Sequence, residues 1–134
     1  MKKKITLIIT LFFISNITAQ NLDLFKKEIF IQNEDTLRYR ILKPNNYDPN
    51  KQYPVHLFLH GSGERGNDNF SQLTHGAKLF LKKENREKYN SWVIFPQCSE
   101  NDRWPSLTSD LWNKTFNQNI TKSNKSLGLV IKLM

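Results

Sequence analysis

Cysteine is almost absent from this 134-residue chain, where Cys98 stands alone. A single thiol excludes an internal disulfide framework and any zinc or iron–sulfur centre built on several cysteines. A membrane-length apolar run is missing as well. The apolar stretch at residues 5–14 is about ten residues long and is interrupted by Thr6 and Thr10, whereas a bilayer-spanning helix needs roughly 20. No nucleic-acid-binding motif is present either. Lys and Arg outnumber Asp and Glu by 20 to 12, but the basic residues fall in short clusters at 26–27, 82–83 and 86–88, each with a Glu close by. Mixed, scattered charge makes a solvated face, not a nucleic-acid footprint. What remains is globular composition, 38% hydrophobic and 24% charged, at a length that allows one domain at most.

The first nineteen residues read as an address. Lys2, Lys3 and Lys4 precede the apolar stretch, and Ser15, Asn16, Ile17, Thr18 and Ala19 follow it. A positive start, a short apolar core and a small residue at the end describe a secretory signal peptide. No cysteine follows the stretch to carry a lipid anchor. Cleavage after Ala19 leaves residues 20–134, takes three positive charges off the formal +8 and leaves no stable membrane anchor. The expectation is export, to a periplasm or the extracellular space.

Beyond the leader, residues 27–32 and 36–42 alternate apolar with polar around Asn33, Glu34 and Asp35, which predicts an antiparallel hairpin with one wet face. Residues 44–50 carry dense turn chemistry. Residues 55–59 and 92–95 are short, nearly all apolar and bounded by Pro or Gly, as in strands of a parallel sheet buried on both faces. Between them Leu73, Ala77, Phe80 and Leu81 recur at helical spacing. Strand, helix, strand makes a βαβ unit. The fold class is α/β, with an antiparallel hairpin leading into a partial parallel sheet flanked by helices. Residues 102–119 read as loop followed by a helical stretch. Leu127, Val130, Ile131 and Met134 form a last helical stripe from Ser126, where the sequence stops in mid-pattern, so an incomplete domain is expected.

The chemistry lies in His60-Gly61-Ser62-Gly63-Glu64-Arg65-Gly66, directly after the first apolar strand. Gly61, Gly63 and Gly66 match G-x-G-x-x-G, with Glu84 or Glu87 about twenty positions on, but the helix that should receive a pyrophosphate does not open there. Ser62 as a nucleophile fails, because its register is not G-x-S-x-G. A Ser62–His75–Asp68 triad can be drawn, with no spacing to support it. An oxyanion hole fits the layout better, since glycines after an early buried strand let backbone N–H groups approach developing negative charge.

Tyr53-Pro54-Val55, the run from Leu59 to Asn69, His75-Gly76-Ala77, Phe95-Pro96-Gln97-Cys98 and Asp102-Arg103-Trp104 together resemble the start of secreted serine hydrolases of the α/β-hydrolase superfamily. The groups concerned are the predicted-peptidase, phospholipase/carboxylesterase-like and feruloyl-esterase-like proteins, and the likeness covers roughly residues 36–134. By that resemblance the Ser62 N–H is the first oxyanion-hole donor, with Gly61 and Gly63 shaping the loop. His60, Glu64 and Arg65 support it, the last two as a paired clamp, and Trp104 walls the acyl or leaving-group pocket. The implied substrate of the intact relative is a small or polymeric ester or a peptide. No cofactor or metal is implied.

The triad itself is missing. Its chain order in that superfamily is Ser, then Asp or Glu, then His. No serine here sits in G-x-S-x-G, and His56, His60 and His75 all precede the place where the nucleophile would appear. His56 reads as a core or edge histidine, His75 as a local hydrogen-bonding group, and Cys98 as a buried or pocket-lining thiol. The sequence therefore points to residues 20–134 as the N-terminal fragment of a secreted serine hydrolase, inactive as given. A small secreted binding module that keeps the pocket loop is the alternative.

Overall fold

The computed structural model describes residues 20–104 and 124–134. The leader and most of the stretch at 102–119 lie outside the described residues. A short 3-10 turn, Gln20–Leu24, leads into β1 (Phe25–Gln32) and β2 (Asp35–Leu42). These two pair antiparallel from Phe25↔Leu42 to Gln32↔Asp35. The turn is therefore Asn33-Glu34, with Asp35 already in the strand. Asn33 takes φ 55°, a left-handed conformation that asparagine tolerates in tight turns.

After the polar loop come β3 (Val55–Leu57), α1 (Ala77–Leu81), α2 (Lys83–Lys88) and β4 (Trp92–Gln97). β4 runs parallel to β3 and antiparallel to β2, so the sheet order is β1-β2-β4-β3. Pro96 does not end β4. β3 pairs only as far as Ile94, so the missing proline N–H falls where no β3 acceptor waits for it. The last helix, α3, is Lys125–Leu133.

Three expectations need correcting. β3 is a short edge strand, not one buried on both faces: Val55 is 47% exposed and Leu59 39%. Among the described residues β4 alone flanks it, so its apolar residues are half covered. The helix between the strands is broken, since Gly76 turns with φ 83° and Lys82 is extended between α1 and α2. In α3 the buried residues are Ser126, Leu129 and Val130, while Ile131 is 53% and Met134 67% exposed. The stripe is shifted by one residue because Leu129 and Val130 pack against Leu37 and Leu57, and Asn124 caps the helix, accepting from the Leu127 N–H at 2.8 Å.

The core has two layers, one on each face of the sheet. Phe25, Leu42, Leu73, Ala77, Val93 and Phe95 pack with Phe58, Phe80 and Leu81 on the α1–α2 side. Phe95 is the hub, stacked on Phe58 at 4.6 Å and edge-on to Phe25 and Phe80. On the opposite face Leu37, Leu129 and Val130 pack with Leu57, Trp104 and Leu133. The α/β/α layering sets the C-terminal ends of β3 and β4 side by side, and the glycine-rich loop emerges there.

Candidate functional site

The loop is stapled at both ends to one residue, Cys98, immediately after β4. His60 is 5% exposed, and its Nε2 accepts the Cys98 N–H at 2.9 Å. The ring therefore carries its proton on Nδ1, which donates to the Gly61 carbonyl at 2.6 Å. At the other end the Gly66 N–H donates to the Cys98 carbonyl at 3.0 Å. Cys98 itself is fully buried. Burial pushes its thiol above the ordinary range, against a smaller opposing effect of a hydrogen bond with Ser126, so nucleophilic character is suppressed.

Between the staples Gly61, Ser62 and Gly63 are exposed, and residues Ser62–Glu64 form a single 3-10 turn. Gly61 is extended, at φ −77° and ψ −179°. Among the described residues, neither the Ser62 nor the Gly63 N–H donates to a protein acceptor. The carbonyl side of the turn is occupied instead: Arg65 Nε donates to the Ser62 carbonyl at 3.0 Å, and its Nη1 to the Asp102 carbonyl at 3.2 Å. No α-helix opens after the loop until Ala77, so the geometry lacks the helix N-terminus a pyrophosphate requires.

Glu64 and Arg65 do not clamp each other. The Glu64 side chain is 13% exposed, with one oxygen 3.4 Å from Nε2 of the exposed His75 and the other 4.0 Å from His60 Nδ1. Trp104 lies edge-on to His60, with ring centroids 5.4 Å apart, and joins the α3-side core. Its indole N–H is buried without a partner among the described residues. His56 sits on β3 with Nδ1 2.9 Å from Ser91 Oγ, engaged away from the loop. The drawn Ser62–His75–Asp68 arrangement is not assembled, because His75 faces Glu64 and Asp68 is engaged elsewhere.

Two supports of the loop were not foreseen. The first is Gln97, 3% exposed. Its Oε1 accepts the Asn69 N–H at 2.8 Å, and its Nε2 donates to Asp68 Oδ1 at 2.8 Å and to the Glu64 carbonyl at 3.2 Å. Asp68 also accepts from the Phe70 and Ser71 N–H groups and from the Ser71 hydroxyl. Burial alone would raise its carboxyl, but these hydrogen bonds outweigh it and hold the group well below the usual carboxylate range. An Asp with Ser three positions on, opening the turn Ser71–Leu73, is the local signal that could have found it. The second is Asp102, which accepts the Ser126 N–H at 2.7 Å and the Arg103 N–H at 2.8 Å. Opposed by burial, the bonds from Ser126 still lower its carboxyl. Asp102 thereby ties the start of α3 to the residue whose carbonyl holds Arg65. Among the described residues no group of three or more His, Cys, Asp or Glu side chains could hold a metal.

No family model matches the chain, and no curated protein matches it significantly. Among solved structures it is similar to a thermostable esterase, at TM-score 0.68 and 30% sequence identity, over 85% of this chain and 30% of that one. The fold is that of part of an α/β-hydrolase domain. The chain thus spans less than a third of that esterase's length. A CE1 ferulic acid esterase from the anaerobic fungus Anaeromyces mucronatus is matched at 19% identity and TM-score 0.46, over 82% of this chain and 39% of that one.

Proposed function

We propose that this chain is the oxyanion-hole part of an exported serine hydrolase that cleaves carboxylic esters, and that the Ser62 N–H is its donor. The observation that carries the reading is the pair of free amides, Ser62 and Gly63, on an exposed turn at the C-terminal end of a parallel strand, in a fold shared with an esterase. The Ser62 carbonyl is already occupied by Arg65 Nε, so the amide N–H groups are what the turn offers to a reacting oxygen. In ester cleavage a serine attacks the carbonyl carbon, the C=O electron pair moves onto oxygen, and the tetrahedral alkoxide is held by such amides. One donor of this kind is worth about 3 kcal/mol in the transition state. No described residues bring together an attacking serine, a histidine base and an orienting acid, so the role proposed for this loop is to hold the oxyanion. The staples from His60 and Gly66 to Cys98, with Gln97 beneath, keep the amides in place without reorganisation during the reaction.

The test is a titration of the full chain with phenyl methylphosphonate, a stable tetrahedral oxyanion, followed through backbone 1H–15N resonances. The Ser62 and Gly63 amide protons should move downfield together. Shifts confined to other residues, or none at concentrations of tens of millimolar, would remove the reading.

A further inference from the structure

A second concavity lies on the α1–α2 face of the sheet, away from the glycine-rich loop. It encloses about 300 Å³, within the range of small-molecule sites. Leu42, Pro44, Leu79, Phe80 and Val93 give it apolar walls. Most of its polar groups are already spoken for. Asn90 Oδ1 accepts from the Asn45 N–H at 2.7 Å, and Asn90 Nδ2 donates to the Asn45 carbonyl at 3.0 Å. Asn85 Nδ2 donates to the Leu79 carbonyl. Ser91 Oγ donates to the Tyr89 carbonyl at 2.9 Å, so it accepts from His56 Nδ1.

Arg86 is different. It is partly buried on the wall of the concavity, and its only bond among the described residues runs from Nη2 to the Lys43 carbonyl at 2.8 Å. Among the described residues no Asp or Glu lines the space, and none lies within ion-pairing distance of the guanidinium. Its neighbour Glu87 is 3.9 Å from Lys83 instead. Burial lowers the Arg86 pKa without any compensating charge. A partly desolvated guanidinium with donors unused is a ready partner for an anion. Lys43, at the rim with its ammonium over the Tyr47 ring, adds a second positive charge.

We infer that this concavity is a binding site for a small monocarboxylate with an apolar body, the carboxylate on Arg86 and the body between Leu79, Phe80 and Val93. The site owes nothing to the oxyanion-hole reading and stands or falls apart from it. His56, its proton on Nδ1, presents Nε2 as a hydrogen-bond acceptor at the same space, so an acid that also carries a hydroxyl gains a second contact.

The probes are octanoate and octan-1-ol, which share a chain and differ in charge, titrated into the full chain and followed by 1H–15N resonances. Octanoate should shift Asn85, Asn90, Ser91 and the Arg86 Nε–H, and bind about tenfold or more tighter than octanol, the value of one charge-assisted hydrogen bond. Arg86→Gln should remove most of the preference for octanoate, leaving only what Lys43 supplies, and Arg86→Lys should keep a larger part of it. If the Gln variant loses its dispersed spectrum, the Lys variant and the wild-type map decide. Equal binding of the two probes by the wild type would overturn the inference. So would octanoate shifts centred on Ser62 and Gly63, or an Arg86→Gln preference unchanged from the wild type. Phosphonate shifts at Ser62, present or absent, leave this result untouched.

Discussion

Of Gly61, Gly63, Gly66 and Gly76, Gly76 has the least room for a side chain. Its φ of 83° with ψ −33° lies outside the ordinary regions for a side-chain-bearing residue, which costs about 2 kcal/mol in alanine. A Cβ there would also come within 2.6 Å of Phe58 Cζ and 2.7 Å of Cε2. Phe58 cannot swing away freely, because it is stacked on Phe95 and meets Phe80 edge-on. Overpacking of that kind costs about 2 kcal/mol more. Gly76→Ala should therefore destabilise the chain by about 4 kcal/mol, against a usual total of about 5–15. In urea, with a slope of about 1.5 kcal/mol per molar, the midpoint should fall by about 2.5 M. Gly63→Ala is the control, since nothing lies within 4 Å of its Cβ and its φ is not in the left-handed range; it should move stability by less than about 0.5 kcal/mol. Adding Phe58→Leu to Gly76→Ala should recover part of the loss through a favourable coupling. Equal midpoints for Gly76→Ala and the wild type, or no coupling with Phe58→Leu, would refute the packing described around Phe95.

The hydrogen bonds to Asp68 depress its folded-state pKa, so its contribution is present above roughly pH 4 and is lost as pH falls through the lowered folded value. Urea midpoints at pH 7 and pH 3 should separate more for the wild type than for Asp68→Asn, with exposure keeping the Asp68 share below about 1 kcal/mol; identical pH responses would contradict this. Cys98, buried and with its thiol pushed up, should react with a disulfide reagent only as fast as the chain opens. Reaction at the rate of free cysteine in native buffer would show that the staple at the end of β4 is not formed.

Much of the sheet was legible because it is written locally. Alternation around Asn33-Glu34 and two apolar runs bounded by Pro and Gly place the hairpin and the βαβ unit, and the helical spacing of Leu73, Ala77, Phe80 and Leu81 marks residues that do cover the sheet. What alternation cannot reveal is who lies next to whom. Val55 and Leu59 read as doubly buried, yet among the described residues β3 has a neighbour on one side only. The face α3 buries is set by Leu37 and Leu57 across the sheet, and its start is held by a cap at Asn124 and a carboxylate from Asp102, 22 residues away. In the site, the glycines and their place after a strand could be read directly. The fastenings could not: Gln97 reaches back 33 residues to the Glu64 carbonyl, and Arg65 reaches forward 37 to Asp102. Side-chain to backbone bonds at that separation leave no periodic trace.

The group proposed to hold the oxyanion is a backbone amide, and position 62 allows it to be removed alone. Ser62 is the first residue of a 3-10 turn, where proline's fixed φ fits, and Gly61 is already extended as a residue before proline must be. Ser62→Pro therefore deletes the N–H with the turn intact, while Ser62→Ala deletes only the hydroxyl. Measured by phenyl methylphosphonate titration, the alanine variant should bind like the wild type and the proline variant should lose binding by tenfold or more, about the worth of one hydrogen bond to a charge. Undiminished binding by the proline variant, or loss in the alanine variant alone, would show that the amide is not what holds the anion.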